Sequence, residues 1–176
     1  MIRTFLLSAA ASLALAACAS TGADMEADAA MAAGDMTPTA RGAYVEMAAA
    51  SDLFEIQSGR LATGRGRSDA VRSFGAMLVQ HHQGTTAQLA AAATAAGTPP
   101  TPDLMPMQAQ MMSELRAASG SEFDTLFVRQ QVMAHEMALA LHTNYAANGD
   151  TPALRTVAAA AAPIVRQHLD QARAMR

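Results

Sequence analysis

The sequence predicts an all-α domain in which four long helices and one short extra helix form an up-down bundle. From Arg41 onward, apolar residues recur at spacings of three and four, which is the period of one face of a helix. The same region lacks strand-like alternation of apolar and polar residues. Glycine and proline clusters divide it into five stretches. Together these three observations favour a helical bundle.

The first two predicted helices are long and are joined by a short turn. The first covers about residues 42–64 and ends at the two glycines that flank Arg65. Ser68 is a typical N-cap, and it introduces a second helix that reaches about residue 96. Gly97 and the proline-rich residues 99–102 stop this helix.

The remaining three helices are predicted from similar residues that start and stop helices. A short helix is predicted over about residues 104–118. Ser121 is the expected cap of a long helix over about residues 122–147, which ends at the turn Asn148-Gly149-Asp150. The last helix begins at Pro152, because proline is favoured in the first turn of a helix.

The N-terminus has the pattern of an export signal. Arg3 supplies a positive charge, and the apolar run from Phe5 to Ala17 is shorter than the about 20 residues that cross a bilayer. The run ends in Leu15-Ala16-Ala17-Cys18, which resembles the lipobox of bacterial lipoproteins and so implies lipidation of Cys18. The alternative is an ordinary secretory signal that leaves Cys18 as a free thiol.

We therefore expect three regions along the chain. Residues 1–17 are a lipoprotein signal peptide, residues 18–40 are the lipidated cysteine with a flexible tether, and residues 41–176 are the helical bundle domain. Lipid chains would make the membrane a partner of the protein. Because Ala19 and Ser20 follow the cysteine, with no aspartate, the expected location is the outer membrane, facing the periplasm of the cell envelope.

Charge and motif content exclude several classes of function. The net charge is −3, and no run of basic residues occurs, so nucleic acid is not expected as a partner. The chain has no Gly-x-Ser-x-Gly motif and no phosphate-binding glycine loop. Lipidation would consume the single cysteine. No catalytic residue is therefore assigned.

The five histidines all fall on predicted long helices. His168 lies on the apolar stripe of the last helix, and Glu55 is the acid expected to face inward from the first. Counting from the turns at 1.5 Å per residue places Glu55 and His82 about 8 Å apart in height, and the same holds for His135 and His168. Side-chain reach and helix tilt would have to close these gaps for one buried polar layer to form.

Five segments resemble, in their order and spacing, the domain of unknown function family 4142, a set of bacterial envelope proteins. The segments are Ser51–Ile56, Met77–His82, Phe123-Asp124, Ala134-His135-Glu136 and Pro163–Leu169. The resemblance covers about residues 41–176 and implies a ferritin-like bundle. The recurrent inward acid and histidines of the family match Glu55, His82, His135 and His168. Where an acidic residue often precedes the second-helix histidine of the family, this chain has Gln80 and His81.

One glutamate and three histidines suit a single transition metal ion, such as zinc, copper, nickel or iron. A ferroxidase-type di-iron site is not expected, because the chain contains no Glu-x-x-His motif. One alternative is that the histidines are core residues hydrogen-bonded to neighbours such as Gln131 or Tyr145. A haem bound by His168 and a methionine is another. A further alternative is a copper-binding patch formed by Met105, Met107, Met111 and Met112.

The expected function is that of an envelope-anchored lipoprotein with a structural or stress-linked role, which binds one transition metal ion in the core of its bundle. The alternative is a metal-dependent redox enzyme of the ferritin-like class. Removal of the metal discriminates between the two. It would abolish turnover by an enzyme, whereas in a binding or structural protein it would at most lower stability.

Overall fold

The computed structural model describes residues 37–176, which contain five α-helices and no strand. The helices are α1 (Arg41–Arg65), α2 (Asp69–Ala95), α3 (Pro106–Ala117), α4 (Gly120–Asn148) and α5 (Pro152–Ala174). The predicted all-α bundle with one short extra helix is confirmed. The predicted signal peptide, Cys18 and the tether up to residue 36 lie outside the described residues. Between residues 37 and 176, no helix combines the length and the hydropathy that a membrane crossing requires.

A serine stands at the N-cap of two long helices, but only Ser68 makes a side-chain capping hydrogen bond. The hydroxyl of Ser68 accepts a hydrogen bond of 3.2 Å from the backbone N–H of Val71, as expected of an N-cap. The predicted cap at Ser121 is wrong, since α4 already begins at Gly120 and Ser119 is its N-cap residue. The carbonyl of Ser119 accepts from the N–H of Phe123, which starts the helix earlier than the position of Ser121 suggested.

Helices α1 and α2 form an antiparallel pair with very close backbones. Gly59 of α1 faces Gly75 of α2, and a Cβ added to Gly59 would lie only 2.7 Å from the carbonyl oxygen of Gly75. The lack of side chains at both positions therefore permits the close approach. Helices α4 and α5 form a second antiparallel pair, joined by a short turn at residues 149–151.

The connection between the two pairs runs along the length of the bundle. At its start, the Arg41 guanidinium donates a hydrogen bond of 3.1 Å to the carbonyl of Ala96. Near its end, the Arg65 guanidinium donates one of 2.7 Å to the carbonyl of Ala118. Because the two arginines stand at opposite ends of α1, residues 96–119 pass from one end of the bundle to the other. Helices α2 and α4 therefore run in the same direction, so the predicted up-down alternation holds within each pair of helices but not across the crossover.

The core has an apolar layer at each end and a polar layer between them. The first apolar layer includes Phe74, Leu78, Phe123, Phe127 and Leu169. The second includes Tyr44, Leu89, Leu141, Tyr145 and Leu154. Helix α3 covers α1 and α4 through Met111 and Met112, which pack with Phe54 and Ala134. The middle polar layer contains buried histidine, aspartate, glutamate and glutamine side chains, and it is where the candidate site lies.

Candidate metal centre

Three imidazoles from three helices meet in the middle polar layer. His82 comes from α2, His135 from α4 and His168 from α5, and one ligand atom of each lies within 4.8 Å of the other two. Their exposed fractions are only 2%, 1% and 0%, respectively. Since the nitrogen of a neutral imidazole is the commonest protein ligand for transition metals, this arrangement can hold a metal ion.

The ring of His135 is fixed by its own helix. Its Nδ1 lies 2.8 Å from the carbonyl oxygen of Gln131, and because a carbonyl only accepts, Nδ1 must donate. The Nε2 of the neutral ring therefore carries a lone pair, and it lies 3.4 Å from Nδ1 of His168. Burial, followed by repulsion from His82, lowers the pKa of His135 to about 3. The ring is thus neutral at neutral pH, as metal binding requires.

The ring of His82 is held by a buried carboxylate. Its Nδ1 lies 2.8 Å from Oδ1 of Asp52 and donates to it. The Thr85 hydroxyl donates to the same carboxylate at 3.0 Å, whereas the Thr86 hydroxyl, also 3.0 Å from it, is closer to the carbonyl oxygen of His82, at 2.7 Å. The Nε2 of His82 is buried and has no hydrogen-bond partner. A polar atom left unpaired in the core calls for a partner, and a bound ion is one partner that this nitrogen can take.

The ring of His168 has another imidazole as its outer neighbour. Its Nε2 lies 2.8 Å from Nδ1 of His81, and the two rings stack with centroids 5.1 Å apart. His81 is only partly buried. Burial is the main cause that lowers the pKa of His168 to about 3, and the neighbouring imidazoles add to the effect. Each of the three buried rings therefore has one nitrogen held from outside and one nitrogen left for the cluster.

Glu55 lies beside this cluster without joining it. Its Oε1 is 3.8 Å from Nδ1 of His135, the ring nitrogen that already donates to a carbonyl. Its Oε2 is buried without a partner. Burial, together with the charge of Asp52, raises the pKa of Glu55 well above its usual range, although a hydrogen bond from Gln131 opposes this. Of the four predicted residues, the structure thus brings the three histidines together and places Glu55 next to one of them.

The sequence prediction omitted Asp52 and His81. A pattern pointed to Asp52, which follows Tyr44 and Ala48 at intervals of four and so shares their inward face on α1. The pattern for His81 was weaker. Adjacent residues on a helix point about 100° apart, so helical spacing does not indicate that His81 and His82 reach one cluster.

The other candidate residues lie elsewhere. His142 pairs with Tyr44, whose hydroxyl is 3.1 Å from Nδ1 of the histidine, on the side of the second apolar layer.

The four methionines of the proposed copper patch divide between the core and the surface. Met111 and Met112 are buried, whereas Met105 and Met107 are 42% and 43% exposed.

Comparison with known proteins identifies a family without assigning an activity. No curated protein and no solved structure is similar enough to this chain to match it. A family model described as "Domain of unknown function (DUF4142)" matches residues 25–175. That match includes all but the last residue of the part of the chain described above and confirms the expectation from the sequence. The chain belongs to the DUF4142 family.

Proposed function

We propose that this protein binds one transition metal ion through His82, His135 and His168. The observation that carries the proposal is the hydrogen bonding of the three rings to partners outside the triad. An outer partner holds one nitrogen of each ring, and three ring nitrogens, one from each histidine, lie within 4.8 Å of one another. Histidines that ligate metals almost always have their second ring nitrogen held in this way.

The distance between one pair of ring nitrogens fits a metal of tetrahedral preference. Two nitrogens bound at 2.0–2.1 Å to a tetrahedral zinc ion stand about 3.3–3.4 Å apart. Nε2 of His135 and Nδ1 of His168 are 3.4 Å apart. Ligands that are all imidazole suit zinc, copper, nickel or iron rather than calcium or magnesium. An ion would also supply the missing partner of His82 Nε2.

Burial favours a binding or structural role over a redox enzyme that acts on an organic substrate. The three imidazoles are 0–2% exposed, so a substrate would have to open the bundle to touch them. Bound metal would cross-link α2, α4 and α5 and so stabilise the fold, because an ion that binds only the native state shifts the folding equilibrium toward that state. Glu55, whose pKa is raised mainly by burial, would remain next to the ligand set as a proton donor or acceptor.

We further propose that the domain is ferritin-like and that lipid on Cys18 anchors it in the cell envelope, on the outer membrane, in a structural or stress-linked role. The single crossover along the bundle supports the first part, since ferritin-like bundles use one such connection. The lipobox pattern before Cys18 supports the second. Labelling of cells with a tagged fatty acid tests the anchor: wild-type protein should carry label that Cys18→Ser lacks, and an unlabelled wild type would contradict the proposal.

Metal analysis tests the central proposal. The full chain, stripped with a chelator and then dialysed against zinc, should retain about one ion per chain, and His168→Ala should lose it. His142→Gln is the matched control, because it changes a buried histidine outside the triad and should retain the ion. Circular dichroism shows whether each variant is folded. Should His168→Ala fail to fold, tetrahedral absorption bands of cobalt in the wild type provide the same test. No retained zinc and no such bands would contradict the proposal.

A further inference from the structure

We propose that Asp52 is a positioning residue for the metal ion: it fixes His82 with Nε2 toward the ion and supplies a negative charge next to the ligand set. This inference rests on the proposed metal function. Neither the metal site predicted from the sequence nor the family description names Asp52 as a site residue. It belongs to α1, the long helix that contributes no imidazole to the triad.

The hydrogen bonds of Asp52 define the state of the His82 ring. A carboxylate only accepts, so the contact of 2.8 Å between Oδ1 and Nδ1 of His82 places a proton on Nδ1. The lone pair of the neutral ring then lies on Nε2, the buried atom with no partner. The hydroxyl of Thr85, 3.0 Å from both carboxylate oxygens, donates to Asp52 and limits its rotation. Asp52 thus selects both the tautomer and the direction of the ring.

The charge of Asp52 distinguishes it from the other outer partners. His135 is held by a neutral carbonyl and His168 by an imidazole. Asp52 is only 6% exposed, and among residues 37–176 its one ion-pair partner is His82. A carboxylate buried in a core is strongly unfavourable unless positive charge is near it. A divalent cation bound to the other side of the His82 ring would provide that charge. If Asp52 only held the His82 ring in place, an uncharged hydrogen-bond acceptor would do so equally well.

The decisive variant is Asp52→Asn, which keeps the size of the side chain and one acceptor oxygen but removes the charge. Loss of an outer partner of a ligand typically weakens metal affinity by about 10- to 100-fold. We expect a weakening of that size in Kd, measured by competition for cobalt with a chelator of known affinity. The cobalt absorption bands should shift as well, because the His82 ligand becomes less basic.

Asp124→Asn is the matched control. Asp124 also accepts two hydrogen bonds, each of 2.8 Å, but from the backbone N–H groups of Arg67 and Ser68 at one end of the bundle. Removal of its charge should lower stability and leave the Kd for cobalt and the absorption bands unchanged. A loss of affinity caused by general loosening of the fold would instead appear in both variants.

A second measurement does not depend on metal. Nitrogen NMR of the metal-free protein should find the proton of His82 on Nδ1 in the wild type and a mixture of tautomers in Asp52→Ala. If Asp52→Asn fails to fold, Thr85→Val allows the affinity test, and a smaller weakening is expected because only one donor to the carboxylate is lost. Equal Kd values and equal spectra for wild type and Asp52→Asn would overturn the role of Asp52 alone. A wild type that binds no metal would overturn this role and the proposed function together.

Discussion

Acid should destabilise the metal-free protein, because its buried histidines resist protonation. Burial is the main cause that lowers the pKa of His135 and His168 to about 3 and that of His142 to about 4. In the unfolded chain a histidine titrates near pH 6.5. Below that pH the unfolded state binds more protons than the folded state, so the free energy of unfolding falls as the pH falls. The stabilisation from these rings is complete above pH 6.5 and is lost toward pH 3–4.

The size of the effect between pH 7 and pH 5 follows from these pKa values. Each of the three rings loses about 2 kcal/mol of stabilisation over this interval, or about 6 kcal/mol in total. Glu55 acts in the opposite direction. Its raised pKa lets the folded state keep a proton that the unfolded chain releases. Between pH 7 and pH 5 this adds at most about 3 kcal/mol to the free energy of unfolding. The expected net loss is at least about 3 kcal/mol, a large part of the about 5–15 kcal/mol that stabilises an ordinary domain.

Urea unfolding followed by circular dichroism at pH 7, 6 and 5, with a chelator present, measures this loss. In His142→Gln one titrating ring is absent, so the change between pH 7 and pH 5 should be smaller by about 2 kcal/mol, whatever the absolute stability of the variant. A free energy of unfolding that stays constant or rises toward pH 5 would refute the description of the three rings as buried and neutral.

Two further predictions concern packing and hydrogen bonding, and urea unfolding measures both. Gly59→Ala should destabilise the protein by about 1–3 kcal/mol, because the new Cβ would overlap the backbone of α2. In Gly64→Ala the new Cβ meets nothing within 4 Å, so this variant should be neutral or stabilising, and similar losses of stability in both variants would contradict the packing argument. Tyr44→Phe should lower stability by about 1–3 kcal/mol, because it leaves Nδ1 of buried His142 without its hydrogen-bond partner. The hydroxyl of Tyr145 binds an exposed carboxylate, so Tyr145→Phe should lower stability less, and a larger loss in Tyr145→Phe would contradict this explanation.

The helices were predictable because their start and stop residues act locally. Ser68, the proline-rich residues 99–102 and Pro152 each determine the backbone within one or two turns. The path of the crossover was not predictable in this way. A connection of the length of residues 96–119 can either turn back or run along the bundle, and contacts between distant parts of the chain, such as that of Arg65 with Ala118, decide which.

The convergence of the histidines was only partly predictable, because residue counting locates Cα atoms rather than rings. His135 and His168 were expected about 8 Å apart in height. Side chains of a helix lean toward its N-terminus. In an antiparallel pair, His135 therefore leans away from the α4–α5 turn and His168 leans toward it, so the difference in height narrows and two ring nitrogens come within 3.4 Å. The outer partners, Asp52 and His81, depend on ring orientation, which the sequence pattern does not contain.

The division of the bundle into two hairpins has a consequence for the time course of folding. The α1–α2 hairpin contributes one imidazole to the triad and the α4–α5 hairpin contributes two. A chain in which the hairpins have formed but not docked has no complete chelate. Metal binding would thus follow the docking of the two hairpins, which is the step that joins the most distant parts of the chain. Bound metal would therefore mainly slow unfolding and would have little effect on the folding rate.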